Sequence, residues 1–460
     1  VVEVKKEHFS SKLGFLFSAI GSAVGLGVLW KFPFTVGNNG GGLFILSYIL
    51  CVLLIGLPIF IGEILLGRKT QKGAVLAFGV LSEKKGWRIG GMLGVIASFF
   101  IMSFYSVIAG WGLSYILMML CDFSKGQTAE GISNIYIELS RSGGITMLWH
   151  GIFTLITMVI VFSGVKDGIE YWSKIMMRFL FIILALLVIY NTSLSGFSKA
   201  LDYLIFGQKG SFKASSVLEA LGLAFFTLSL GQGIMISYGG YTRRGDNIPL
   251  MCSAVSFGVI LVASLSSLLI FPVIFTYGFD PSMGTGLVFQ TLPFLFAKLP
   301  AGKVIGVAFF SLFVFAAVTS AIAFVEVVAV NIMDHYKIER KKAVSLVCLM
   351  TFIVGIPAAF SAAGGVFSSW SDLYGRAYLE TVDEIVSVWI IPLSGLFTSL
   401  FIGWVVPKSL WKEEFLSGSK AKAIFPIWYF FIKFLAPLLI ILIILQKSEL
   451  INFNKIFLLS

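Results

Sequence analysis

Long apolar runs constrain this chain more than any other feature. Segments 89–121 and 248–277 each exceed 20 residues without a single charged side chain. At 1.5 Å per residue, about 20 helical residues cross a hydrocarbon core of roughly 30 Å. A membrane barrel would instead alternate apolar and polar residues over short strands, and that pattern is missing from the sequence. Overall, 58% of the residues are hydrophobic and 12% are charged, against about 25% charged in a typical soluble domain. The expected class is all-α integral membrane. The first run, beginning near Leu13, has no small-residue cleavage site and reads as a retained span, not as a signal peptide.

Eleven spans are expected, near 13–36, 42–68, 89–121, 146–164, 170–192, 218–241, 248–277, 303–335, 341–362, 380–404 and 424–445. With the N-terminus in the cytoplasm, 22 Lys and Arg fall in or beside cytoplasmic segments, 11 on the outer side, and Lys433 within a span. The positive-inside rule therefore orients the chain N-in and C-out. It also accounts for the net charge of +11 without a nucleic-acid partner. Clusters such as Lys84, Lys85, Arg88 and Arg340, Lys341, Lys342 read first as topology determinants. Cys51, Cys121, Cys252 and Cys348 form no C-x-x-C pair, and His8, His150 and His335 are scattered without metal-ligand spacing. No nucleophile elbow, phosphate-binding loop or zinc-protease motif occurs, so an enzyme is not expected.

Two spans carry glycine-rich interruptions. The first contains GSAVGLG at 21–27, and the sixth contains TLSLGQG at 227–233. Glycine alone also serves close helix packing. Here, however, it is mixed with hydroxyl and amide side chains at bilayer depth, in the corresponding members of two five-helix halves, 13–192 and 218–404. Span 424–445 is then additional. Unwound backbone at that depth frees carbonyls for a cation and helix N-termini for an anionic group, as in transporters built from inverted repeats. A midplane binding site is expected.

On these motifs the chain resembles the neurotransmitter:sodium symporters, most closely their bacterial amino-acid members of the leucine-transporter type. The resemblance rests on AVGLG with KFPF, NGGG at 39–42, GLPIFIGEILLGR at 56–68, FFTLSLGQG, and FAAVTSAIAF at 315–324, and runs from residue 2 through the last span. It implies a leucine-transporter fold, a 5+5 inverted repeat with helices 1 and 6 broken, in a bacterial inner membrane. The family's second sodium site maps to carbonyls of Gly21, Val24 and Ala316 and hydroxyls of Thr319 and Ser320. Neutral oxygens suit a hard monovalent cation, although both hydroxyls can also bond their own helix. The first sodium site maps differently. Its two asparagines align with Val28 and Val259, so only Thr227 and the Ala23 carbonyl remain, and valine offers no replacement for lost hydration. One sodium ion is therefore expected. The position that distinguishes chloride-dependent members aligns with Ala263, and no chloride is expected.

Family pocket positions map to Ser22, Ala23, Gly25, Gly27, Ile101, Tyr105, Phe226, Thr227, Ser229, Gln232, Ser320 and Phe324. Gly25 stands where amine-transporting relatives carry an aspartate, which favours an amino-acid substrate. The outer gate maps to Lys31 with Asp383, and the inner gate to Lys6 with Asp334, beside Tyr241 and with Phe9 in place of a tryptophan. Lys31 and Asp383 also read as plain interfacial charges, and Lys6 as part of a basic tail. Glu63 and Glu326 lie within spans, where ionisable groups are costly and face the bundle interior. The expected function is sodium-coupled uptake of a small amino acid or related zwitterion by alternating access, with a lipid bilayer and a small molecule as the partners. Proton coupling through Glu63 or Glu326, or a ligand sensor that does not transport, are the alternatives.

Overall fold

The computed structural model describes residues 7–207, 212–279, 288–362 and 369–448, with Gly286, Phe367 and Leu450. Nine helices among the described residues are long and apolar enough to cross a bilayer. In chain order the helices that matter are α1 (Lys12–Ala23), α2 (Gly27–Asn38), α3 (Gly42–Thr70), α4 (Lys85–Leu120), α5 (Gly143–Phe162) and α6 (Val165–Asn191). There follow α7 (Ala214–Thr227), α8 (Ile234–Gly240), α9 (Ile248–Thr276), α10 (Gly302–Tyr336), α11 (Arg340–Ala359), α12 (Tyr378–Val405) and α13 (Ile424–Lys447). The expected first span is the pair α1 and α2, bent by 53° at its break. The expected sixth span is α7 and α8, interrupted at Leu228–Gly233. The other expected spans match single helices to within about five residues, the usual scatter of helix ends.

Each break has a local cause. Val24 leaves the helical region (φ −86°, ψ 71°), and α2 resumes only when Val28 N–H and Leu29 N–H donate to the Gly25 carbonyl at 3.1 and 3.4 Å. In the second break Ser229, Gly231 and Gly233 all adopt positive φ (53°, 66° and 72°), which no helix can accommodate. Gly231 is needed twice over. A Cβ there would meet the Ile391 carbonyl at 2.3 Å, in a backbone conformation L-residues rarely take.

Around the breaks, α10 is the central helix, with 89% of its most apolar window buried, and it packs along α4. The short helix α8 lies against α3, so close that a Cβ on Gly67 would reach 1.8 Å from the Ile236 carbonyl. Small residues let membrane helices approach in this way. Gly67→Ala should therefore lower the thermal midpoint of the detergent-solubilised protein, overpacking costing about 1–3 kcal/mol. Gly86→Ala, whose Cβ would meet nothing within 4 Å, should leave it unchanged in the same thermal scan.

Candidate functional site

The two breaks face each other and satisfy each other's polar groups. Ser229 Oγ donates to the Ser22 carbonyl at 3.1 Å, and Ser22 Oγ donates to Ser229 Oγ at 3.4 Å. Leu26 N–H donates to Tyr105 Oη at 3.1 Å, and Gly231 N–H donates to Glu63 Oε1 at 2.9 Å. Between the breaks lies a cavity of about 240 Å³ of atom-free space, counting the part open to solvent. Ser22, Ala23, Gly25, Gly27, Tyr105, Phe226, Ser229, Gln232, Ser320 and Phe324 line it. Ten of the twelve expected pocket positions are thus brought together. Ile101 is fully buried outside that lining, and the Thr227 hydroxyl is engaged by Tyr48 Oη at 2.8 Å and its own helix. Gly25 has no room for a side chain, because a Cβ would stand 2.5 Å from Ser320 Oγ and 2.7 Å from Tyr105 Oη.

Beside this cavity α10 meets the end of α1. Ser320 Oγ donates to the carbonyls of Ser22 and Gly21 at 2.9 and 3.2 Å, and Thr319 Oγ1 to the Ala316 and Phe315 carbonyls at 3.0 and 3.1 Å. A Cβ on Gly21 would stand 3.0 Å from Thr319 Cβ, tighter than an ordinary contact, so the two helices meet closely here. The carbonyls of Gly21 and Ala316 and two hydroxyls therefore cluster where α1 ends at Val24, itself fully buried. Turning each hydroxyl proton away would present neutral oxygens to a monovalent cation. Elsewhere, Val28 and Val259 are both fully buried, and the Val28 carbonyl accepts from Ser266 Oγ at 2.9 Å. Ala263 is buried and apolar.

The residues expected at the two gates sit in different chemistry. At one, Lys31 Nζ lies 3.2 Å from Asp383 Oδ2 and 5.1 Å over the Phe226 ring, which covers the cavity. Ser387 Oγ steadies Asp383 at 2.7 Å. At the other, Lys6 lies outside the described residues, and the Asp334 carboxylate accepts from Gly73 N–H at 2.7 Å. The ionic contact among the described residues there belongs to Arg340. Its Nη1 and Nη2 reach Glu326 at 2.6 and 3.1 Å, its Nε lies 3.3 Å from Glu7, and Tyr241 Oη donates to Glu326 at 2.5 Å. Phe9 fits the tryptophan position, its N–H donating to the Tyr241 carbonyl and its ring edge-on to Tyr238 and Tyr241. Sequence reasoning read Arg340 only as a topology determinant. Its partners lie on two other elements, and only the buried Glu326 hinted that a cation must come to it.

A family model described as the sodium:neurotransmitter symporter family matches residues 6–125 and 127–456. The chain belongs to that family. It is a multi-pass membrane protein of a family of sodium-coupled transporters, and not an enzyme. It is 36% identical over 452 residues to the sodium-dependent transporter YhdH of Bacillus subtilis, covering 98% of this chain and all of the relative. A sodium-dependent transporter of Haemophilus influenzae is 31% identical over 456 residues, covering 96% and 98%. Among solved structures, MhsT in complex with L-phenylalanine superposes with a TM-score of 0.88 at 35% identity, covering 96% of this chain and 99% of MhsT. These matches bear out the expected leucine-transporter type of fold, and the bacterial relatives are consistent with an inner-membrane location.

In this symporter Glu326 is fully buried, and removing its cation strands a charge. Arg340→Ala should destabilise the protein by about 3 kcal/mol or more, as breaking a buried pair does. Glu326→Gln placed on top of Arg340→Ala should recover a large part of that loss, read as a double-mutant cycle of thermal midpoints.

Proposed function

We propose that this chain takes up a small amino acid or related zwitterion by symport with one sodium ion. The observation that carries the reading is Ser320 donating to the carbonyls that end α1, with Thr319 packed against Gly21, beside a cavity lined by both breaks. The ion sits among the carbonyls of Gly21, Val24 and Ala316 and the hydroxyls of Thr319 and Ser320. Holding it ties α1 to α10. The substrate carboxylate faces Tyr105 and the first turn of α2, whose N–H groups carry the positive end of a helix dipole. Its ammonium faces the carbonyls that end α1 and α7. The L-phenylalanine bound to MhsT supports an amino-acid cargo.

The first sodium site is given up. Val28 and Val259 put hydrocarbon where two neutral oxygens would be needed, and Thr227 spends its hydroxyl on Tyr48. Ala263 leaves no anionic group or chloride beside it, so the charge and its balance are missing together. One ion suffices energetically. Moving one charge through 100 mV supplies about 2.3 kcal/mol, which at about 1.4 kcal/mol per decade supports roughly a 50-fold gradient of a neutral substrate. Eleven spans with the N-terminus inside place Lys31 and Asp383 at the outer gate. Tyr241, Asp334 and the Arg340–Glu326 contact then close the inner one.

Proteoliposomes under an imposed sodium gradient test this. Uptake should depend on sodium with a Hill coefficient near one, and a coefficient near two would contradict the single site. Thr319→Ala with Ser320→Ala should abolish sodium-dependent binding. Uptake driven only by a pH step would point to Glu63 or Glu326 as proton carriers, and binding without uptake would leave a sensor. Val28→Asn with Val259→Asn should raise the sodium Hill coefficient above one.

A further inference from the structure

We infer that the transported substrate is an amino acid with a short, uncharged side chain bearing a hydrogen-bond donor, a hydroxyl or a carboxamide, and that Gln232 selects for it. The inference rests on the reading above, that the cavity between the breaks holds a zwitterion.

The cavity lining is of two chemical kinds. At Gly25 and Gly27 it offers backbone groups, with the Tyr105 hydroxyl beside Gly25, which suit the zwitterion itself. The rest of the lining includes Gln232, Ser22, Ser229 and Phe324. The two serines spend their hydroxyl protons on each other's break. Gln232 is different. The residue is 1% exposed, and its main chain is pinned by Ser98 Oγ donating to its carbonyl at 2.7 Å. Its side-chain Oε1 is buried and, among the described residues, accepts no hydrogen bond. A buried acceptor left unpaired costs about 1–3 kcal/mol, and such a group in a native protein asks for an explanation. Here it lines the cavity, where a substrate N–H or O–H would satisfy it.

Size and charge narrow the class. The atom-free space between the breaks is about 240 Å³ with the part open to solvent counted, and the zwitterion must share it. Phe324 packs edge-on to Tyr105 at 5.4 Å and takes up room beside the amide. Large aromatic side chains are thereby disfavoured. None of the described residues lining the cavity is acidic or basic, so a charged side chain would be buried without a counter-charge. An apolar side chain would leave Gln232 Oε1 orphaned.

The test compares isosteres on the full chain in nanodiscs, by equilibrium binding in sodium and in choline. L-threonine should bind at least about tenfold tighter than L-valine, and L-asparagine tighter than L-leucine by a similar factor. Gln232→Met keeps length but removes the acceptor, and it should bring the threonine-to-valine ratio to within about twofold while sodium dependence persists. Equal or tighter binding of valine by the unmodified protein overturns the inference. So does a ratio unchanged in Gln232→Met, as it would be if a trapped water served the amide. If Gln232→Met does not fold, the comparison on the unmodified protein decides alone. If no amino acid binds in sodium, the transport reading falls and this inference with it. Sodium-dependent binding without discrimination removes the inference only.

Discussion

A peptide group without a helical partner has no water to turn to inside a bilayer, and the rest of this structure follows from that constraint. Two helices are broken at the same depth, and every freed group described above has been given a partner from another element. Ser229 and Ser320 serve the carbonyls that end α1, Tyr105 serves Leu26 N–H, and Glu63 serves Gly231 N–H. These partners double as the walls of the cavity. On the function proposed above, the polar groups that make irregular backbone tolerable are the ones that would serve an ion and a zwitterion.

The same economy explains why the centre is built from hydroxyls and carbonyls. Neutral oxygens can satisfy one another, since each hydroxyl simply donates to a neighbouring carbonyl. Thr319 and Ser320 do so here. A carboxylate in their place would hold a cation too firmly to release it. Apart from Glu63 at the second break, the charged pairs described above lie away from the centre. Lys31 and Asp383, about one-third exposed, can part at little cost. Arg340 and Glu326 are more deeply buried, and the N-terminal segment is drawn into their contact through Glu7 and Phe9. The two closures therefore differ in chemistry as well as in position.

Much of this was legible in the chain. Apolar runs specify spans because a bilayer tolerates little else, and the helix bounds fell within a few residues of expectation. GSAVGLG and TLSLGQG announced both breaks, since glycine among hydroxyls has no other good use at that depth. Ten of twelve expected pocket positions line the cavity. The remaining positions have physical explanations. Thr227 turns its hydroxyl to Tyr48, and Ile101 is a packing residue one turn below Tyr105. Asp334 was expected to face Lys6, which lies outside the described residues, and its carboxylate caps Gly73.

By itself, then, the sequence determined the helical class, the spans, the two breaks and the oxygen set around α1 and α10. The first three are written in local pattern, in apolar length and glycine; the oxygen set is what the family resemblance implies. Only the tertiary structure decided which cation meets Glu326, which hydroxyls are already spent, and which buried polar atom of the cavity-lining residues is left unpaired. Those outcomes depend on side chains from distant elements competing for the same few donors and acceptors, and no local pattern records who wins. Arg340 and Gln232 Oε1 are where that competition becomes visible.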